Sequence, residues 1–95
     1  MNSAQRLAAE LAQQLAGKLR PFVGGHCRLG TPDEVTPGYL LGMCDQIAEN
    51  ASNWPATKSH RWVGYIQGAM VALGLTTVED EKATVTKARQ ANEDL

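Results

Sequence analysis

The chain has 95 residues, 43% of them hydrophobic, and a formal net charge of -1, the size and balance of one small globular domain spanning residues 1–95. No run approaches the roughly 20 apolar residues of a membrane span, and no basic start followed by an apolar stretch marks a secretory signal, so a cytoplasmic protein without a membrane partner is expected. Nine Lys and Arg against ten Asp and Glu give no global support to sequence-independent nucleic-acid binding and leave only a local basic patch as a route to it.

Thirteen residues are Ala and only 5% are aromatic, so the core is expected to form from helices in close contact, not from bulky side chains. Such a core is thin, and burying a further face against a second copy would reinforce it, which makes a homo-oligomer the expectation. Cys27 and Cys44 are too few for a disulfide scaffold and are read as reduced thiols. With His26 and His60 they supply four zinc-ligand types, yet no pair has the C-x2-C or H-x3-H spacing that pre-forms half a site. Neither a metal nor a cofactor is expected.

In chain order, Asn2 or Ser3 caps a first helix in which Leu7, Leu11, Leu15 and Leu19 recur every four residues beside Ala4, Ala8, Ala12 and Ala16. The helix ends before Pro21, and its stripe suits docking on the domain or on another copy better than a long coiled coil. Residues 21–36 read as a Gly/Pro-rich loop, with one helical turn at Thr31-Pro32-Asp33-Glu34. A second helix starts at Thr36-Pro37 and presents Leu40, Met43, Cys44, Ile47, Ala48 and Ala51, opposed by Asp45, Gln46, Glu49 and Asn50. Asn53-Trp54-Pro55 stops it.

The third helix runs from Pro55–Thr57 to Leu73, where Gly74 ends it. Helical spacing puts Trp62, Ile66, Ala69, Met70 and Leu73 on one side and His60, Gly64, Gln67, Gly68 and Val71 on the other. Both sides are poor in charge, so this helix is expected at the centre of the fold. Thr76-Thr77-Val78-Glu79 has the form of a capping box and opens a polar fourth helix through Lys82, Val85, Ala88 and Ala91, with fraying last turns. The fold class expected is all-α, a bundle of four helices at about 3–20, 37–52, 56–73 and 77–92.

The segment Lys58-Ser59-His60-Arg61-Trp62-Val63-Gly64-Tyr65-Ile66-Gln67-Gly68, followed by Thr77-Val78-Glu79, resembles a pattern found in small bacteriophage and prophage proteins: K-x-H-R-W-x-G-[FY]-I-Q-G, then T-hydrophobic-x-E. The match covers about a third of the chain and leaves out residues 1–35. The resemblance implies a phage-borne accessory protein in the host bacterial cytoplasm. It supplies context rather than a mechanism.

Chemistry therefore has to be argued from side chains. Gly64 and Gly68 share a helix face, and each costs roughly 1 kcal/mol relative to Ala. Close approach of another helix, either the Ala-rich first helix or a symmetry mate, offsets that cost. So does a ligand notch rimmed by Arg61, His60 and Gln67, in which Arg recognises phosphate and Gln reads a base or amide edge. Trp62 is read as a core anchor. Tyr65, near Lys58 and Arg61, either stacks on a base or covers the helix surface. Arg61 is expected to be buried or half-buried and paired with Asp45, Glu49 or an external anion. The loop reads first as an ordinary helix connection, in which Gly24 and Gly25 can also turn N–H groups toward an anion beside Arg28; His26 and Arg28 favour a lowered Cys27 thiol pKa, but no partner residue for redox or nucleophilic chemistry is in view.

No Ser, Cys or Asp stands at a spacing that gives His60 a catalytic partner, so no enzyme is expected. The binding candidates are Arg61, His60, Gln67, Tyr65, Lys58 and Arg28. Two function classes remain. One is an anti-defence accessory protein that blocks a host or defence-system protein, or sequesters a small phosphorylated, nucleotide-like signal at a subunit boundary. The other is a helper of phage replication or transcription contacting nucleic-acid phosphates through Lys58, Arg61, Arg28, Lys18 and Arg20, although no basic recognition helix follows a tight Gly turn.

Overall fold

The computed structural model describes residues 1–25 and 30–92. Four α-helices account for most of them: α1 Ser3–Leu19, α2 Pro37–Asn50, α3 Ala56–Ala72 and α4 Val78–Asn92. Short 3-10 turns at Arg20–Phe22 and Asp33–Val35 complete the elements, and no strand occurs among the described residues. The all-α bundle read from the sequence is therefore the observed architecture. Its thinnest dimension is 19 Å, about two helix diameters.

Local chemistry sets the boundaries. Asn2 caps α1 through a reciprocal box in which its Oδ1 accepts from the Gln5 N–H and Gln5 Oε1 accepts from the Asn2 N–H, each at 2.8 Å. Thr36 caps α2 and Pro37 occupies its first turn, where the missing N–H has no partner to lose. A left-handed Gly74 (φ 76°) closes α3, with Leu75 N–H donating to the Met70 carbonyl and Gly74 N–H to that of Val71. The capping reading for α4 shifts by one residue. Thr77, not Thr76, is the cap, its hydroxyl accepting from the Asp80 N–H at 3.1 Å.

The core lies on α1. That helix packs against α2, α3 and α4 in turn, α2 also packs on α3, and α3 and α4 scarcely touch although they are consecutive. This corrects the expectation that α3 is central. The reason is periodicity: Leu11, Leu15 and Leu19 with Ala8, Ala12 and Ala16 give α1 a broad buried surface, because alanines on both sides of a leucine row let neighbours approach from several directions. Helix α3 buries a single stripe, Ser59, Val63, Ile66 and Met70, rotated slightly from the expected one, while Trp62, Ala69 and Leu73 sit half-buried at its edge. On α2 the buried set is Pro37, Leu40, Cys44 and Ile47, and Ala48 points to solvent.

Two consequences follow for self-association. Leu11, Leu15 and Leu19 of the leucine stripe are buried in the chain's own core, and Leu7 packs partly buried against it. Gly64 and Gly68 meet no helix within the chain, since a Cβ built on either would have no heavy atom within 4 Å. Close intramolecular packing therefore does not explain them.

Helix α4 is fastened to α1 by both apolar and polar contacts. Glu81, Val85, Ala88 and Asn92 form its inner stripe, and at the far end Asn92 Nδ2 donates to Glu10 Oε2 at 2.6 Å and to the Ala88 carbonyl at 2.7 Å. The helix runs to Asn92, the end read from the sequence. No described helix is long and apolar enough to cross a membrane.

Candidate functional site

Four of the six candidate residues are tied into the fold. His60 Nε2 donates to the Ala4 carbonyl of α1 at 2.8 Å, which commits that nitrogen and ties the start of α3 to the start of α1. Lys58 Nζ lies 3.9 Å from the centroid of the Trp54 ring and 5.8 Å from that of Trp62, and the two rings are themselves 4.8 Å apart and inclined at 59°. A cation held over indole faces is stabilised by their quadrupoles, so Lys58 closes this corner of the molecule. Tyr65 donates its hydroxyl to the Glu34 carbonyl at 2.9 Å, pinning the 3-10 turn Asp33–Val35 to α3, although its ring stays largely exposed. Gln67 Nε2 donates to Glu81 Oε1 at 3.3 Å.

Arg61 differs. It is exposed, and its side chain makes no hydrogen bond or ion pair among the described residues. The expectation of a buried arginine paired with Asp45 or Glu49 is overturned, because Arg61 stands opposite the stripe α3 buries and its charge remains in water. Arg28, His26 and Cys27 lie outside the described residues.

Glu81 is the site residue that sequence reasoning missed. Only 6% exposed, its carboxylate pairs with Lys18 Nζ at 2.6 Å and accepts from Thr76 Oγ1 at 2.8 Å as well as from Gln67. Burial pushes its pKa up, but the Lys18 and Thr76 hydrogen bonds, the Lys18 charge and Gln67 together hold it below the usual carboxylate value of 4.5. Lys18 also donates to Thr84 Oγ1 at 3.2 Å, so a single cation joins α1 to two successive turns of α4. A signal was present in the sequence: Glu81 falls on the same stripe as Val85 and Ala88, and an acid on a buried stripe demands a cation opposite it.

Above this network lies a groove of about 560 Å³ where α3 and α4 diverge. Gln67, Gly68 and Val71 form one wall; Val78, Lys82, Val85 and Arg89 run along the other, with Glu81 in its lining. Lys82 and Arg89 are exposed, and their side chains pair with no carboxylate among the described residues. Gly64 and Arg61 continue the face of Gly68 one and two turns toward the start of α3. The surface is thus an open, valine-lined furrow carrying unneutralised positive charge.

Burial raises the Cys44 thiol from 9.0 to about 11, with Asp45 adding to the rise, so it stays protonated at neutral pH. Among the described residues no three His, Cys, Asp or Glu side chains gather closely enough to hold a metal ion. No protein-family model matches the chain, and neither a curated protein nor a solved structure does.

Proposed function

We propose that this chain is a phage-borne accessory protein that acts by binding, without catalysis, and blocks a host or defence-system protein with the face formed by α3 and α4. The observation that carries this reading is the pair Gly64 and Gly68. Both are exposed in mid-helix, each costs about 0.5 to 1 kcal/mol relative to Ala, and no contact within the chain offsets that cost. A body from outside that lies close against α3 supplies the missing contact, and the groove beside Gly68 gives it a seat.

The nucleic-acid reading has less to draw on. Lys18 is paired with Glu81 and Lys58 is held over Trp54, which leaves Arg20 and Arg61 as described cations of the proposed phosphate contacts. The test is native mass spectrometry of the protein isolated gently from an expressing bacterium, beside a Gly68→Leu variant. A Cβ at Gly68 meets no heavy atom within 4 Å, so this variant is expected to fold and to place its side chain in the groove. The wild type is expected to carry a bound species that the variant loses. Identical spectra from the two proteins would remove the α3/α4 face from the function.

A further inference from the structure

The groove narrows the kind of partner, an inference that rests on the binding role proposed above. Along α4, Val78, Lys82, Val85 and Arg89 follow one another at intervals of four, three and four residues, so apolar and cationic side chains alternate down one wall for about 16 Å. Across from them Gly68 and Val71 leave the α3 wall low, with nothing within 4 Å of a Cβ at Gly68. A small anion needs donors that converge on it. Here the two cations stand about 10 Å apart, two helical turns along α4, with Val85 between them.

That spacing matches two carboxylates seven residues apart on a second helix. We infer that the groove seats an acidic amphipathic helix of a partner protein, with small apolar side chains against Gly68, Val71 and Val85 and two acids facing Lys82 and Arg89. The mode is helix in groove, with flanking charges choosing the partner as they do beside a coiled-coil seam. Charge supports this occupant: Glu81, the carboxylate in the lining, is committed to Lys18, Thr76 and Gln67, so the groove's free charge is positive. A second copy offering the same face would bring Lys82 and Arg89 against their own counterparts. Like charges oppose that symmetric pairing.

Two fluorescein-labelled, hydrocarbon-stapled helical peptides test the inference. Both carry one Ala/Leu stripe; one has Glu and the other Lys at two flanking positions seven residues apart. Fluorescence anisotropy is expected to show the Glu peptide binding about tenfold more tightly than the Lys peptide. The double variant K82E/R89E should reverse that preference, and Gly68→Leu should weaken binding of the Glu peptide by a similar factor. Absence of binding, equal affinity for the two peptides, a preference that the charge swap does not reverse, or indifference to Gly68→Leu each overturns the acidic helix. If any of these occurs while mass spectrometry still finds a bound species dependent on Gly68, the wider binding role stands without this partner. If that dependence is missing as well, both fail.

Discussion

Glu81 holds α4 in place through a balance of opposed terms. Burial penalises its charge, and three donors with one nearby cation more than compensate, so the folded carboxyl ionises more readily than the unfolded one. The sign of the pH dependence follows from linkage. A carboxyl whose folded pKa lies below its unfolded value of 4.5 contributes its full stabilisation above that pH, and the contribution is lost as pH falls through the lower folded value. Glu81→Gln is expected to cost about 1.5 to 3 kcal/mol at neutral pH, the range for hydrogen bonds to a charged group. Urea unfolding followed from pH 7 downward should then show a shallower acid limb in the variant. Parallel limbs would mean that the Lys18 pairing contributes nothing. The sequence displayed the acid on the inner stripe of α4, but not which of nine Lys and Arg would meet it. That choice is made by the packing of α4 on α1, 63 residues apart in the chain.

At the scale of elements, what was legible was local. Caps at Asn2 and Thr36, Pro37 in the first turn of α2 and Gly74 beyond α3 act through backbone groups within a few residues, so their reading carried over to the structure. What was not legible was which helix lies at the centre. A helix with low charge on two sides looks buried on both, yet glycine and alanine lower charge without adding surface to bury, and the Gly64/Gly68 side of α3 stands open. Arg61 was misplaced by the same reasoning, since a notch assumed to be covered made its charge look buried. The arrangement predicts an order of opening. Residues 8–19 of α1, which touch all three partners, should exchange their amide hydrogens most slowly, followed by α3, with α4 first to open because it rests on α1 through Val85, Ala88 and three polar pairs. Native-state hydrogen exchange reads this directly, and protection of α3 outlasting that of α1 would overturn the assignment of the centre.

For the whole molecule the distribution of effort is uneven. One side is closed by the leucine row of α1, the Trp54–Lys58–Trp62 corner and the ties from His60 and Tyr65 to their backbone carbonyls. The other is left open, with two glycines, three valines and unpaired cations around a furrow between helices that diverge. A chain optimised for its own stability would carry alanine at both glycines, because helix propensity favours it and nothing stands in the way. The central claim is that this face is unfilled in the folded chain and kept for contact from outside. Its most direct test is urea denaturation of the Gly64→Ala/Gly68→Ala double variant beside the wild type at low micromolar concentration. An open face predicts that the variant is more stable by about 1 to 2 kcal/mol, the summed gain of two exposed helical positions. A variant less stable than the wild type would show that something already occupies the glycine face, and would contradict the account.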